Sequence, residues 1–577
     1  MSIRTPWGEK LDAERVLPEY PRPQMRRNSY LNLNGTWEYA ITKGEDAPAA
    51  YDGTIIVPFS PEAPLSGVNR TLHADETLWY RRSFTLAEGF LPENGRVLLH
   101  FGAVDQEATV FVNGKEVARH AGGYTAFTAE ITDLLQAENT LVVRVKDDTD
   151  ASWQSRGKQK TKRGGIWYTP QSGIWQTVWL EAVPKQYIER LRILSSLERE
   201  QVELTVISQC EGSCTVRIGD IEHIIPINTP AAIPVPNPHA WSPEDPYLYN
   251  FTVTLAEDQV ESYFGLRDTC IRADAEGIKR LFLNGKPYFH NGLLDQGYWP
   301  DGLYTPPSDE AMIFDIQTAK DMGFNLLRKH IKIEPMRWYY HCDRLGMLVW
   351  QDMINGGGQY RFSTISGPLI TGIHRKDSRY KLFAREAPQG RQAYMQELTE
   401  MVQQLENVPS LVLWVPFNEG WGQFDAEKVC RYLRTLDESR PIDPASGWHD
   451  QRFGDFVSHH VYFKRYRFRR DKLGRAVALS EFGGYNLRID GHTWSDTDYG
   501  YKRLPSKEAL WSAYQKLYEE QVLPAIPEGL CAAAFTQLTD VEDELNGLLT
   551  YDRKCVKLPV EGLHKLNNRL AAASPEI

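Results

Sequence analysis

Two runs in the chain, LVLWVPFNEGWGQ and AVALSEFGGY, each place a glutamate at the end of an apolar stretch: Glu419 in the first and Glu481 in the second. A charge beside a buried strand is costly unless it is used. Two carboxyl groups flanking one bond are what glycoside hydrolysis requires. One protonates the leaving oxygen, and the other, about 5 to 5.5 Å away when configuration is retained, attacks the anomeric carbon. A single glutamate at a strand end more often just forms a salt bridge; two of them in one repeated pattern make that the lesser reading.

The two roles call for different surroundings. The nucleophile must be ionised, so a cation and hydroxyl donors should face it, and Arg328 and Tyr462 are the candidates. The acid must start protonated, which burial and a negative Glu481 would promote at Glu419 before it turns base for water. Asn418, just before the acid, could bond the sugar 2-hydroxyl, or merely cap a loop. His330 and His460 could meet sugar hydroxyls or be satisfied wall histidines. Asp352 could bind a hydroxyl or orient Arg328. Trp350, Trp421 and Trp448 offer stacking faces, although barrel packing claims at least one.

These residues recur at strand ends. From residue 274 the chain alternates apolar strands with helical patterns: PYFHNGLL is followed by SDEAMIFDIQTAKDMG, whose Met312, Ile316, Ala319 and Met322 share one face. Ser308 can cap that helix and Gly323 end it, while Pro335 opens the next and Gly346 stops it. Continuing through FNLLRKH, MLVWQDM, LVLWVPF, IDPAS, FVSHHV, AVALSEF and CAAAFTQ gives eight strands, and a (β/α)8 TIM barrel is the simplest closure. In that fold the chemistry sits at the carboxyl ends of the strands, which adds Asp295 at the first strand and Gln537 at the eighth.

Before the barrel, strand-like alternation with turns such as Asn113-Gly114 runs through 1–183 as an all-β sandwich. Residues 184–273, with VELTVIS, CTVRIG and YNFTVTLAE, suit a seven-stranded immunoglobulin-like sandwich. Residues 274–577 form the barrel. At about 150 residues per domain, a chain of 577 fits this multidomain β plus α/β plan.

The bulk composition narrows the partners. A net charge of −11 argues against nucleic acid or an anionic membrane as the main ligand. The first twenty residues lack the apolar run of a secretory signal, and no long apolar span follows, so the expectation is a cytoplasmic protein. Seven scattered cysteines fit reduced thiols, and only Cys210 and Cys214 are close, without a second pair at zinc spacing. No cofactor or metal is expected, since no ligand set is specific enough to name a divalent cation. The sequence is compatible with a homo-oligomer and leaves the number of subunits open.

Over residues 25–565 the chain resembles glycoside hydrolase family 2, the group containing β-galactosidases, β-glucuronidases and β-mannosidases. LNGTWEY, LWYRRSF, VFVNGKEVARHAGGYTAF and SGIWQTVWLE resemble that family's sugar-binding-like jelly roll; WSPEDPYLY and YFGLRD resemble its linking sandwich; FLNGKPYFHNG, GFNLLRKH, CDRLGMLVWQD, Asn418-Glu419 and SEFGG follow in order. The resemblance implies Glu419 as acid/base, Glu481 as nucleophile, and His460 and Tyr462 as site positions on the sixth strand. Three departures bear on the substrate. Arg-x-x-His is shortened to Arg328-x-His330, the eighth strand reads CAAAFTQLTD where a site tryptophan is common, and EDELNGLLTYDRK lacks the Asn-x-Lys motif of β-glucuronidases. The implied activity is a retaining exo-β-glycosidase acting on an oligosaccharide or glycoside, first of all a β-galactoside. A uronide, mannoside, arabinoside or galactofuranoside is the alternative. A catalytically silent carbohydrate-binding protein is the reading of another class, opposed by the intact pair.

Two cationic runs, YFKRYRFRRDKLGR at 462–475 and SRGKQKTKRGG at 155–165, read first as solvated surface. The former begins at a candidate site residue, which suggests that it helps receive acidic oligosaccharides. The Gly-rich stretch INGGGQYRFSTISGPLITG is long enough to act as a lid.

Overall fold

The computed structural model describes residues 3–575. The first layer is antiparallel: a six-stranded and a four-stranded sheet enclose Trp37, Leu78, Tyr80, Leu99, Val110 and Val143. Strict alternation produces this, as in Asn139–Lys146, where every second residue is buried. The next unit has seven antiparallel strands in a three- and a four-stranded sheet, packed around Leu191, Leu204, Val216 and Val253. A small sheet spanning residues 269–287 then straddles the boundary expected at 273/274. Its Leu281 and Leu283 join Trp241, Leu326, Leu348, Trp350 and Val412 in one cluster, which fills the amino-terminal end of the barrel.

In the barrel, seven parallel strands pair in the order fourth, third, second, first, eighth, seventh, sixth. The fifth, IDPAS, is a correction. It forms isolated parallel bridges, Trp414 with Ile442 and Asn418 with Ser446, rather than a continuous strand. Pro441 and Pro444 supply no backbone donors there, which limits the ladder. The bridges set this segment beside the fourth strand, and the Glu419 amide donates to the Ser446 carbonyl at 2.9 Å.

The helix signals act where the sequence puts them. Ser308 accepts from the Ala311 amide at the start of Asp309–Asp321, and Met312, Ile316, Ala319 and Met322 are all buried. Gly346, at φ 75°, terminates Met336–Leu345 in the left-handed region. Such helices hold the sheet in register, and each strand carboxyl end therefore presents its side chains at a fixed height.

The jelly roll is fastened to the mouth of the barrel. Thr305 donates to the Trp175 and Pro58 carbonyls, and the Arg156 and Gly157 amides both point at the Asn355 carbonyl after the third strand. The Arg156 guanidinium bonds the Gly357 and Gly358 carbonyls at the root of the Gly-rich stretch. Residues 155–158 thus lie over the strand ends.

Candidate active site

Glu419 follows the fourth strand (Leu411–Val415) in a sharp turn. Its own φ is 50°, and Gly420 and Gly422 are also positive. A non-glycine residue in that region is strained, and such strain is found where surroundings fix a functional side chain. Here the fixing contacts are the Ser446 carbonyl and the Trp448 indole, whose Nε1 donates to the Glu419 carbonyl at 2.9 Å. Glu481 lies within the seventh strand (Ala476–Gly483), paired in register with His460 of the sixth.

One oxygen of each glutamate and a ring nitrogen of His460 all lie within 4.8 Å of one another. Such a trio could in principle hold a cation, but each group also has a defined protein partner. Arg328 Nη1 donates to Glu481 Oε1 at 3.2 Å, and the Tyr462 hydroxyl donates to Glu481 Oε2. Burial works against the Arg328 charge, yet the Asp352 and Glu481 carboxylates outweigh it and its pKa is raised. Burial and Glu481 together raise the Tyr462 pKa, so the phenol keeps its proton and donates it.

Glu419 stands apart in character. Burial raises its pKa, and the charge on Glu481 adds to that. Its partner His460 is pushed down to about 4 by burial and is a neutral imidazole. The Ser446 hydroxyl donates to Ser480 at 2.8 Å, so its oxygen accepts from His460 Nε2–H at 3.0 Å. That assignment leaves the Nδ1 lone pair facing Glu419 Oε1 at 2.8 Å, where the carboxylic proton completes the bond.

The supporting residues converge on Arg328. Asp352 accepts from its Nε and Nη2, both at 3.0 Å, and the Asn418 side-chain oxygen accepts from Nη2 at 2.8 Å. This leaves Asn418 Nδ2 buried without a protein partner. His330 shares the same aspartate, with Nδ1 at 2.8 Å from Oδ2, and its ring meets Trp421 edge-on at 6.0 Å. Trp448 packs edge-on against His460 at 5.5 Å, and Tyr462 stacks on Tyr501 at 3.9 Å.

The structure therefore brings Glu419, Glu481, Asn418, Arg328, His330, Asp352, Trp448, His460 and Tyr462 together. It does not bring in two others. Asp295 faces away from the barrel axis, paired with Lys329 at 2.7 Å. Strand alternation explains this, because Arg328 next to Lys329 takes the inward position. Gln537 is spent on Gln296 and Asn546. At the eighth strand, Phe535 packs outward against Phe482 and Tyr514, and Thr536 faces the site, with Oγ1 3.1 Å from the Tyr462 hydroxyl. Trp350 is core, donating to His290 beneath the site.

Sequence reasoning named no residue of the jelly roll at the site. Trp167 lies 5.1 Å from Trp421 and 5.8 Å from Tyr360 of the Gly-rich stretch, so three rings from three segments wall one side of the mouth. In the run expected as solvated surface, Arg156 and Lys158 are buried. The spacing of aromatics and cations in SRGKQKTKRGGIWY was the available signal, but nothing local tells a buried cation from an exposed one. The other run lines a cavity of about 410 Å³ that Trp448, His460 and Tyr462 also border.

Family models match three consecutive segments: the galactose-binding domain-like part of glycosyl hydrolase 2 at residues 62–176, glycosyl hydrolases family 2 at 187–267, and the TIM barrel domain of that family at 279–476. The chain belongs to glycoside hydrolase family 2. Relatives include a putative beta-glucuronidase of Formosa agariphila, 25% identical over 64% of this chain and 43% of its own. A beta-galactosidase of Thermoanaerobacter pseudethanolicus is 25% identical over 63% of this chain and 48% of its own. The chain thus spans less than half the length of these two curated relatives. The solved beta-D-glucuronidase of Dictyoglomus thermophilum superposes with a TM-score of 0.72 at 19% identity, covering 96% of this chain and 98% of that one. The family 2 architecture of jelly roll, immunoglobulin-like sandwich and TIM barrel is the expected one. Among the described residues no helix is long and apolar enough to cross a membrane.

Proposed function

We propose that the protein is a retaining exo-β-glycosidase that works by double displacement. The observation that carries this reading is the convergence of Glu419 and Glu481, with oxygens within 4.8 Å, where burial raises the Glu419 pKa and Arg328 and Tyr462 donate hydrogen bonds to Glu481. Inverting enzymes hold their carboxyl groups about 6.5–9.5 Å apart to admit a water between them. In the first step a Glu481 oxygen bonds to the anomeric carbon. The glycosidic bond breaks, and its oxygen leaves as an alcohol with the proton of Glu419. In the second step Glu419, now a carboxylate, takes a proton from water whose oxygen attacks the same carbon, and the ester to Glu481 breaks.

Arg328 and Tyr462 donate to the two oxygens of Glu481, and the free amide hydrogens of Asn418 suit a sugar hydroxyl. Both steps run on protein groups and water, without a cofactor. A β-galactoside is the neutral candidate for the terminal sugar. The named activities of the relatives divide between galactosides and glucuronides.

The test is trapping. A 2-deoxy-2-fluoro glycoside of the preferred sugar should esterify Glu481, as read by peptide mass spectrometry, and NMR should find the β anomer formed first. A label on another residue, or an initial α anomer, would overturn the assignment.

A further inference from the structure

Lys158 comes from the jelly roll, not the barrel, yet it lies at the catalytic mouth. It is 5% exposed. Among the described residues it forms no salt bridge, and its hydrogen bond is a long one, 3.5 Å to the Tyr168 hydroxyl. That hydroxyl donates to Glu544, so a carboxylate is linked to the ammonium only through a phenol. The remaining support is aromatic: the ammonium lies 5.2 Å from the centre of the Tyr168 ring and 5.7 Å from that of Trp421. Cation–π contacts recover only part of what a buried ammonium loses in leaving water.

The backbone beneath this lysine is fixed. Gly157 has φ 61°, and a Cβ there would stand 2.6 Å from the Tyr304 hydroxyl. The Tyr168 amide donates to the Lys158 carbonyl at 3.0 Å, and the Gln159 side chain is held by Asp105 and Tyr124. Polar atoms nearby also lack partners: Trp421 Nε1, and both amide atoms of Asn355, whose carbonyl holds the Arg156 and Gly157 amides. Trp421 follows Glu419 by two residues and meets the His330 ring edge-on, so the ammonium over Trp421 lies beside the turn that carries Glu419. A cation held this firmly, buried and without a carboxylate of its own, is arranged for an anion that arrives with the substrate.

We propose that Lys158 receives the carboxylate of a uronic acid as the terminal sugar, making the enzyme a β-uronidase whose acid-recognising group is supplied by the jelly roll. This rests on the glycosidase reading above. The chain lacks the Asn-x-Lys motif in EDELNGLLTYDRK, and Lys158 of the 155–165 run takes over the recognition of charge from a different domain.

The experiment compares kcat/KM for 4-methylumbelliferyl β-glucuronide and β-galacturonide with the matching glucoside and galactoside, in the wild type and in Lys158→Met and Lys158→Arg. The wild type should prefer each uronide to its C6-alcohol counterpart. Lys158→Met should lower that ratio by about tenfold to 100-fold, as expected for a lost charge-assisted hydrogen bond, and Lys158→Arg should recover part of it. Thermal shifts of the wild type with free glucuronate and galacturonate, against glucose and galactose, report binding even if a variant does not fold. Only the acids should raise the melting temperature. A wild type that prefers neutral sugars, or equal losses on acidic and neutral substrates with a displaced pH profile, would overturn the proposal and leave the glycosidase reading standing. Failure to cleave any of the four would strike the glycosidase reading itself.

Discussion

His460 Nδ1 lies 2.8 Å from Glu419 Oε1 and 3.5 Å from Glu481 Oε2, so a single neutral ring spans both carboxyl groups. It contacts most closely the acid that must keep its proton, whose pKa the nearby Glu481 also raises.

The pH profile should reflect this. Glu419 acts while protonated, and its pKa is raised, so the alkaline limb of kcat/KM falls as pH rises through that pKa. The alkaline limb should therefore lie above the range of an ordinary carboxylic acid. Glu419→Ala should lose about 10²- to 10⁴-fold on substrates with poor leaving groups. It should retain the first step with a dinitrophenyl glycoside and gain turnover with azide. An unchanged alkaline limb in the variant would assign the titration elsewhere.

Tyr462→Phe keeps the stack on Tyr501 but removes the donor to Glu481. A hydrogen bond to a charged group is worth about 1.5–3 kcal/mol, so kcat/KM should drop roughly tenfold to 100-fold with little change in melting temperature. Steady-state kinetics and a thermal melt decide this together.

Arg328→Met leaves Asp352 and Glu481 buried without their cation. Breaking a buried pair on one side costs about 3–5 kcal/mol. The variant should be inactive and unfold at clearly lower urea concentration; an unchanged urea midpoint would show that Arg328 does not hold the carboxylates in place.

Residues 362–373 of the lid carry exposed Phe362, Ile370 and Ile373 and add little to the core. Replacing them with a short glycine linker should change the ranking of substrates of different length more than it changes the melting temperature. The reverse result would retire the lid.

Glu62 provides a test of stability away from the site. Burial pushes its pKa up to about 8, although the Leu72 and Ser172 amides both donate to it. A raised pKa contributes stability that is full below the unfolded value near 4.5 and is lost as pH rises through 8. Within that window the slope is about 1.4 kcal/mol per pH unit for this group. Denaturant midpoints of Glu62→Gln should vary less across pH 5 to 8 than those of the wild type.

Much of the barrel is written in period and punctuation: Ser308, Gly346 and the apolar strand runs each act locally, and the local pattern suffices to find them. Glu419 and Glu481 were legible for the same reason, as charges placed where apolar runs end. Asp295 looked equivalent by that rule, but the register of its strand turns it outward toward Lys329, which only the pairing of two strands can determine. The fifth strand was overcounted because IDPAS has strand-like ends, whereas its prolines permit only bridges. Lys158 and Trp167 lie more than 250 residues from Trp421, and no local pattern announces that a turn in one domain covers a cup in another.

Arg156 grips the carbonyls of Gly357 and Gly358, so the jelly roll holds the Gly-rich stretch by its root. The barrel is accordingly not a self-sufficient catalytic unit with an ornament attached. Grafting the 155–168 segment between family members would be a way to exchange substrate choice while the reacting carboxyl pair stays as it is.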